Sequence, residues 1–233
     1  MSYLNNDYIV NRPISELPKL VIFDMDGLIF DSERLFMKHL IKIANEYGYT
    51  ITKEMYVNTL GLAGENLRKK MNEYCGPDYP LREIGEKSRV SMKEEIMTDG
   101  LPVKPGIRDL LEYLKNKEIP VAVASSSPKR HVTEYLEITG LLNYFRLVIG
   151  GESVANSKPA PDIFLKVADE LHMPFNKCMV LEDSENGIRA AYNARMIPVC
   201  IPDLKYPCDD VAGLADIILN DANELIDILE KLD

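Results

Sequence analysis

The sequence has little cysteine and no paired arrangement of it. Cys75, Cys178, Cys200 and Cys208 are scattered, and no C-x-x-C occurs. A disulfide scaffold or a zinc ribbon needs clustered cysteines, so reduced and mostly buried thiols are expected. Long apolar runs are also missing. Met1 to Leu20 carry Asn5, Asn6, Asp7, Arg12, Pro13 and Glu16 in place of an apolar segment, so no signal peptide is expected. Runs such as Val121 to Ala124 are far too short to cross a bilayer. Basic residues are in deficit: 27 Lys and Arg against 37 Asp and Glu give a formal charge of −10. Such a field repels phosphate backbones and anionic lipid, which argues against nucleic-acid and membrane partners. A phosphorylated ligand would need a local basic group or a metal. Only 13 Gly and 14 Pro in 233 residues exclude collagen-like and low-complexity chains, and 46% hydrophobic residues suffice for a real core. A cytoplasmic protein with no obligate protein partner is expected.

What is present is a rhythm of short apolar runs. Leu20 to Phe23, Val121 to Ala124, Leu147 to Ile149, Met179 to Leu181 and Pro198 to Ile201 each end in polar or glycine-containing segments, with a weaker run at Ile217 to Leu219. Unalternating runs of this length suit parallel strands buried on both faces. Between them lie helical patterns, such as Ile107, Leu110, Leu111 and Leu114, or Leu225, Ile228, Leu229 and Leu232. Ser127 and Pro128 read as a helix start, with Ser127 as cap. The fold class is therefore α/β, a Rossmann-like parallel sheet core with right-handed crossovers. One interval breaks the rhythm. Residues 32–100 lack a strong strand run and read as helix, with Leu35, Leu40, Ile43, Ala44 and Tyr47 on one face and a long helix from Leu81 to Met97. A helical cap domain over 32–100 is expected, inserted into a discontinuous core of 1–31 and 101–233. An insertion after the first strand is placed to sit over the carboxyl ends of the strands, where open α/β sheets build their sites.

The sharpest motif comes directly after the first strand: Phe23-Asp24-Met25-Asp26-Gly27. Two carboxylates spaced i, i+2 leave the strand on the same side, and Gly27 permits a sharp turn. A calcium loop would need further acidic ligands at short intervals, and the spacing to Asp31 does not fit one. Later strands end in complementary chemistry: Ser125-Ser126-Ser127 after the second, Ser157-Lys158-Pro159 after the third and Glu182-Asp183-Ser184 after the fourth. In a parallel sheet these ends converge on one edge. Crowded carboxylates repel one another and call for a cation, and oxygen-only ligands favour Mg²⁺. Singly, each has a plainer reading: Lys158 as a solvated lysine, Ser184 or Asp183 as a helix cap, Glu182-Asp183 as surface charge.

Taken in order, Asp-x-Asp-Gly, Ser125, Lys158-Pro159-Ala160-Pro161-Asp162 and Glu182-Asp183-Ser184-x-x-Gly187 resemble the haloacid dehalogenase-like hydrolase superfamily. Nearly the whole chain takes part, and the helical insertion resembles the subgroup that includes beta-phosphoglucomutase and many small-molecule phosphatases. The resemblance implies Asp24 as nucleophile and Asp26 as general acid and base, with Ser125 binding and Lys158 neutralising the transferred phosphoryl group. It implies Mg²⁺ held by Asp24, the backbone carbonyl of Asp26, and Asp183, with Glu182 in support. Gly27 and Ser126 are expected beside the phosphoryl group, and Glu33, Glu65, Asn66 and Arg68 are candidates to face the substrate.

A carboxylate at position 26 favours phosphate-ester chemistry, because dehalogenases and phosphonoacetaldehyde hydrolases lack one there. In the insertion, the loop Leu60-Gly61-Leu62-Ala63-Gly64-Glu65-Asn66 keeps Gly61 but offers no basic residue until Arg68, and Phe36 stands where the mutases have a histidine. The resemblance therefore implies a Mg²⁺-dependent phosphatase acting through an aspartyl-phosphate on a small phosphorylated metabolite. The alternatives are a hexose-phosphate mutase of the beta-phosphoglucomutase type and, more distantly, a non-catalytic binding module on the same fold.

Overall fold

The computed structural model describes residues 8–62 and 64–232. Residues 1–7 of the polar N-terminal stretch and Ala63 of the Leu60–Asn66 run lie outside the described residues. The chain divides into two compact units, one of the described residues up to Phe30 and from Val103 onward, the other of Asp31–Pro102.

The first unit is α/β. Its strands are β1 (Ile9–Val10), β2 (Leu20–Phe23), β3 (Val121–Ala124), β4 (Phe145–Ile149), β5 (Cys178–Glu182), β6 (Ile197–Cys200) and β7 (Ile217–Ile218), in the order β1-β7-β6-β5-β2-β3-β4. All neighbours are parallel except β1, which pairs antiparallel with β7 at the edge. The short N-terminal strand has no counterpart in the sequence pattern, since two residues offer no periodicity to read. Every residue of β2, β3 and β5 is buried, as their unbroken apolar runs demand. Leu20, Ile22, Ala122, Ala124 and Val180 pack with Phe164, Val167, Ala190 and Ala191 in one core cluster. The small alanines let helices approach the sheet closely, and the large Phe164 fills the space between.

The second unit is helical. It contains α1 (Ser32–Glu46), α2 (Lys53–Val57), α3 (Gly64–Cys75) and α4 (Leu81–Asp99). Leu35, Leu40, Ile43 and Ala44 are buried on α1, and Ile84, Ser88, Met92 and Ile96 on α4, an i, i+4 stripe that explains why a polar-rich sequence folds as a long helix. Polar contacts hold the same pair, with His39 Nδ1 2.9 Å from Ser91 Oγ and Lys38 Nζ 2.6 Å from Glu95. Gly64, Glu65 and Asn66 are not loop, as their sequence suggests, but the first turn of α3, where an acidic residue complements the helix dipole.

The core helices that complete the chain are α5 (Ile107–Asn116), α6 (Lys129–Ile138), α7 (Asp162–Glu170), α8 (Glu185–Asn193), α9 (Asp209–Ala212) and α10 (Asn223–Glu230). None of the described helices is long and apolar enough to cross a membrane. The four cysteines are free, with Cys178 and Cys200 buried in strands.

Candidate active site

β2 lies between β3 and β5, so Asp24, the residue after Phe23, is flanked by Ser125 at the end of β3 and by Glu182 at the end of β5. The sheet ladder runs one residue past the strands on both sides: the Asp24 amide donates to the Leu181 carbonyl at 3.0 Å and the Ser125 amide to the Ile149 carbonyl at 3.1 Å. Asp24 and Ser125 thus inherit the rigidity of the buried sheet. Both are buried, at 7% and 1% exposure.

Lys158 reaches this edge from the segment after β4. Its ammonium lies 2.5 Å from Asp24 Oδ1, 2.6 Å from Glu182 Oε1 and 3.1 Å from the Ala124 carbonyl. An ammonium has three N–H bonds, and all three are committed. The Phe164 ring lies under the same nitrogen, 4.9 Å away, adding a cation–π contact in a desolvated setting. Burial disfavours the charged amine, but the Asp24 and Glu182 carboxylates outweigh it and hold the Lys158 pKa above the ordinary lysine value. Asp24 is pushed the other way. Burial raises its carboxyl to about 8, against the pull of Lys158 and with the repulsion of Glu182 adding to the rise. A cation beside Asp24 would favour its charged form.

Glu182 is fully buried, yet neither of its oxygens lacks a partner. Oε1 takes Lys158, and Oε2 accepts the Ser184 amide at 3.1 Å and the Ser184 hydroxyl at 2.9 Å. Ser184 is also the cap of α8, accepting from the Gly187 amide at 3.0 Å. A side chain at Gly187 would put its Cβ 1.8 Å from the Glu182 carboxyl carbon. The buried carboxylate therefore fits only because position 187 has none.

Asp183 is held at another glycine. Gly27 turns with φ +79°, and a Cβ there would lie 2.3 Å from Asp183 Oδ2. Asp24, Glu182 and Asp183 each offer an oxygen within 4.8 Å of the others. This all-oxygen, mostly buried donor set fits a hard divalent cation such as Mg²⁺. The Asp26 carboxylate stands apart from that group of three: its Oδ2 accepts a 2.8 Å hydrogen bond from the Ser127 hydroxyl.

Ser127 departs from its expected role. The residue flanking α6 at its start is Pro128, and Ser127 is not its cap; the Ser127 hydroxyl holds Asp26, while its amide donates to Ser125 Oγ at 3.0 Å. The Ser125-Ser126-Ser127 turn packs back on the strand end so tightly that a local cap gives way to a tertiary bond. Ser126 is exposed. The remaining candidates lie in the helical unit. Glu33 accepts a hydrogen bond from Tyr56, whose ring lies 6.2 Å from that of Phe36. Arg68 is paired with Glu65 one turn earlier on α3, and Asn66 is exposed. Two supporting residues show what they do only in the structure. Gly187 reads in the sequence as a spacing residue of its motif, and Glu152 belongs to no motif at all. Its carboxylate accepts the Lys129 amide, a contact with no local signature.

Residues 21–201 match the family model of the haloacid dehalogenase-like hydrolases. Among named relatives, the chain is 34% identical to a phosphorylated carbohydrates phosphatase of Thermotoga maritima, with 75% of this chain and 80% of that protein aligned. It is 30% identical to hexitol phosphatase B of Escherichia coli K12, over 88% of this chain and 92% of the relative. Among solved structures, CbbY from Rhodobacter sphaeroides in complex with phosphate superposes with a TM-score of 0.72 at 26% identity, covering 92% of this chain and 100% of that one. With the family model spanning most of its length and Asp24, Lys158 and the Glu182-Asp183 pair gathered at one sheet edge, the chain belongs to the haloacid dehalogenase-like hydrolase family.

Proposed function

We propose that the protein is a Mg²⁺-dependent phosphatase that hydrolyses a small phosphorylated metabolite, a sugar or polyol monophosphate, through an aspartyl-phosphate on Asp24. The observation that carries this reading is a carboxylate held at the end of a buried central strand, against a buried ammonium and beside a cluster of acidic oxygens. The phosphatase names of the Thermotoga maritima and Escherichia coli relatives support the substrate class.

In this reading an Asp24 oxygen attacks phosphorus and the ester oxygen leaves, taking a proton from Asp26. Asp26 then removes a proton from water, which attacks the aspartyl-phosphate, releasing phosphate and restoring the Asp24 carboxylate. The Ser125 hydroxyl donates to a phosphoryl oxygen. Lys158 supplies a fixed positive charge, and its buried partners keep that charge in place without reorganisation. Mg²⁺ would be held by Asp24, Asp183 and the Asp26 carbonyl, offsetting the repulsion between carboxylate and phosphate. Glu182 supports from beneath, holding Lys158 and the start of α8.

Phosphate release from a panel of sugar and polyol phosphates and an aryl phosphate tests the proposal. Release is expected with Mg²⁺ and is lost on adding excess EDTA; turnover that persists in EDTA would sink it. Including beta-glucose 1-phosphate separates the mutase, which would form glucose 6-phosphate faster than free phosphate.

Gly27→Ala should act on the cation. The new methyl group would occupy the place of the Asp183 carboxylate and would sit at a φ that costs an L residue about 1–2 kcal/mol. The Mg²⁺ concentration for half-maximal rate is expected to rise about 10–100-fold, the usual effect of disturbing the support of a metal ligand. An unchanged Mg²⁺ titration would remove Asp183 from the metal site.

A further inference from the structure

The serine turn that carries Ser125 and Ser127 leads straight into α6, and that helix begins without help from its own sequence. Pro128 precedes it with no side-chain cap, and no acidic residue lies in its first turn. The orphan amides of a helix start need acceptors. Here the acceptor comes from another segment. Glu152, just beyond β4, takes the Lys129 amide with both carboxylate oxygens, at 3.0 and 3.2 Å. Gly150 makes the approach possible, since a Cβ there would lie 2.2 Å from the Lys129 nitrogen and 2.5 Å from Glu152 Oε2. The Gly151 amide adds a 3.1 Å bond to the Ser127 carbonyl. The end of the turn is thus clamped to the segment after β4, and its Ser127 hydroxyl holds Asp26 at 2.8 Å.

We propose that Glu152 is a positioning residue of the reaction: by accepting the Lys129 amide it fixes the Ser125–Ser127 turn, and through Ser127 it fixes the Asp26 carboxylate. The catalytic half of this inference rests on the reading of Asp26 as the acid and base. Glu152 touches no reacting atom. Its carboxylate complements the positive end of α6 as a local cap would, but from a segment that also anchors the turn. Without it, the backbone bonds of Ser125 and Gly151 remain while the amide of Lys129 loses its acceptor. Looseness in the turn would reach Asp26, because the bond from Ser127 depends on where the turn lies. A misplacement of that kind is felt in the chemical step more than in substrate binding.

The test compares Glu152→Ala and Glu152→Gln with the wild-type chain, using p-nitrophenyl phosphate with Mg²⁺ and amide hydrogen exchange over residues 125–131. For Glu152→Ala, exchange in that segment should rise and kcat should fall about tenfold with KM changed less than twofold. Glu152→Gln keeps an acceptor oxygen and should recover most of kcat and of the protection. Unchanged exchange together with kcat within twofold of wild type in the alanine variant overturns the inference. So does a drop in thermal midpoint with kcat intact at temperatures where the variant is folded, which would make Glu152 merely structural. Exchange that rises while the wild type itself releases no phosphate supports the clamp and fails the phosphatase reading instead.

Discussion

Asp24→Asn is expected to lower Mg²⁺-dependent phosphate release by about 10³-fold or more, the scale on which removal of a covalent nucleophile acts. An amide is a poor nucleophile toward phosphorus, and it cannot supply the carboxylate oxygen that would hold the metal. The fold should survive, since Lys158 keeps Glu182 and the Ala124 carbonyl as partners and the Asp24 backbone bond to Leu181 is untouched. Steady-state phosphate release with the best substrate of the panel is the measurement, alongside the urea midpoint. Activity within tenfold of wild type would exclude Asp24 as the group that forms the intermediate.

Lys158→Met should have the largest effect on stability, about 3–5 kcal/mol, seen as a lower urea midpoint in metal-free buffer. The side chains of Lys158, Asp24 and Glu182 are 5%, 9% and 1% exposed, so removing the ammonium leaves the Glu182 carboxylate beside Asp24 in a dry site with no cation to balance it. Methionine fills nearly the same volume, which separates the loss of charge from the loss of packing over Phe164. Adding Glu182→Leu to Lys158→Met should restore part of the stability, because the stranded Glu182 carboxylate is then gone, but none of the activity. A single variant as stable as wild type would mean that the buried pair contributes nothing to the fold.

Much of this edge is legible in the sequence because sheet topology dictates it. Asp24, Ser125 and the Glu182-Asp183 pair each come directly after or end an unbroken apolar run, and such runs make parallel strands whose ends must converge. Lys158 is legible for a different reason, its setting in Ser157-Lys158-Pro159, since nothing in periodicity brings it to Asp24. The hidden features depend on contacts between distant segments. The depth of Glu182 is set by an empty position at Gly187, and a glycine three residues past a helix cap has many uses. Ser127 misleads because local capping and a tertiary bond to Asp26 draw on the same hydroxyl, and only the course of the turn decides between them. Strand β1 escapes notice because its pairing with β7 is made by two residues with no pattern.

The way the helical segment leaves and rejoins the sheet has a consequence for how such chains diversify. Phe30 pairs with Val103 in an isolated antiparallel bridge, and the Asp31 amide donates to the Pro102 carbonyl at 3.0 Å. Entry and exit are therefore neighbours, like the two posts of a gate, and the intervening residues form a closed excursion from the crossover between β2 and β3. A segment whose ends already meet can be lengthened, shortened or exchanged without altering the strand order, because the distance it must span is unchanged. The intervening residues can then change wholesale, while Asp24, Lys158 and Glu182 stay fixed by strands that never register the exchange.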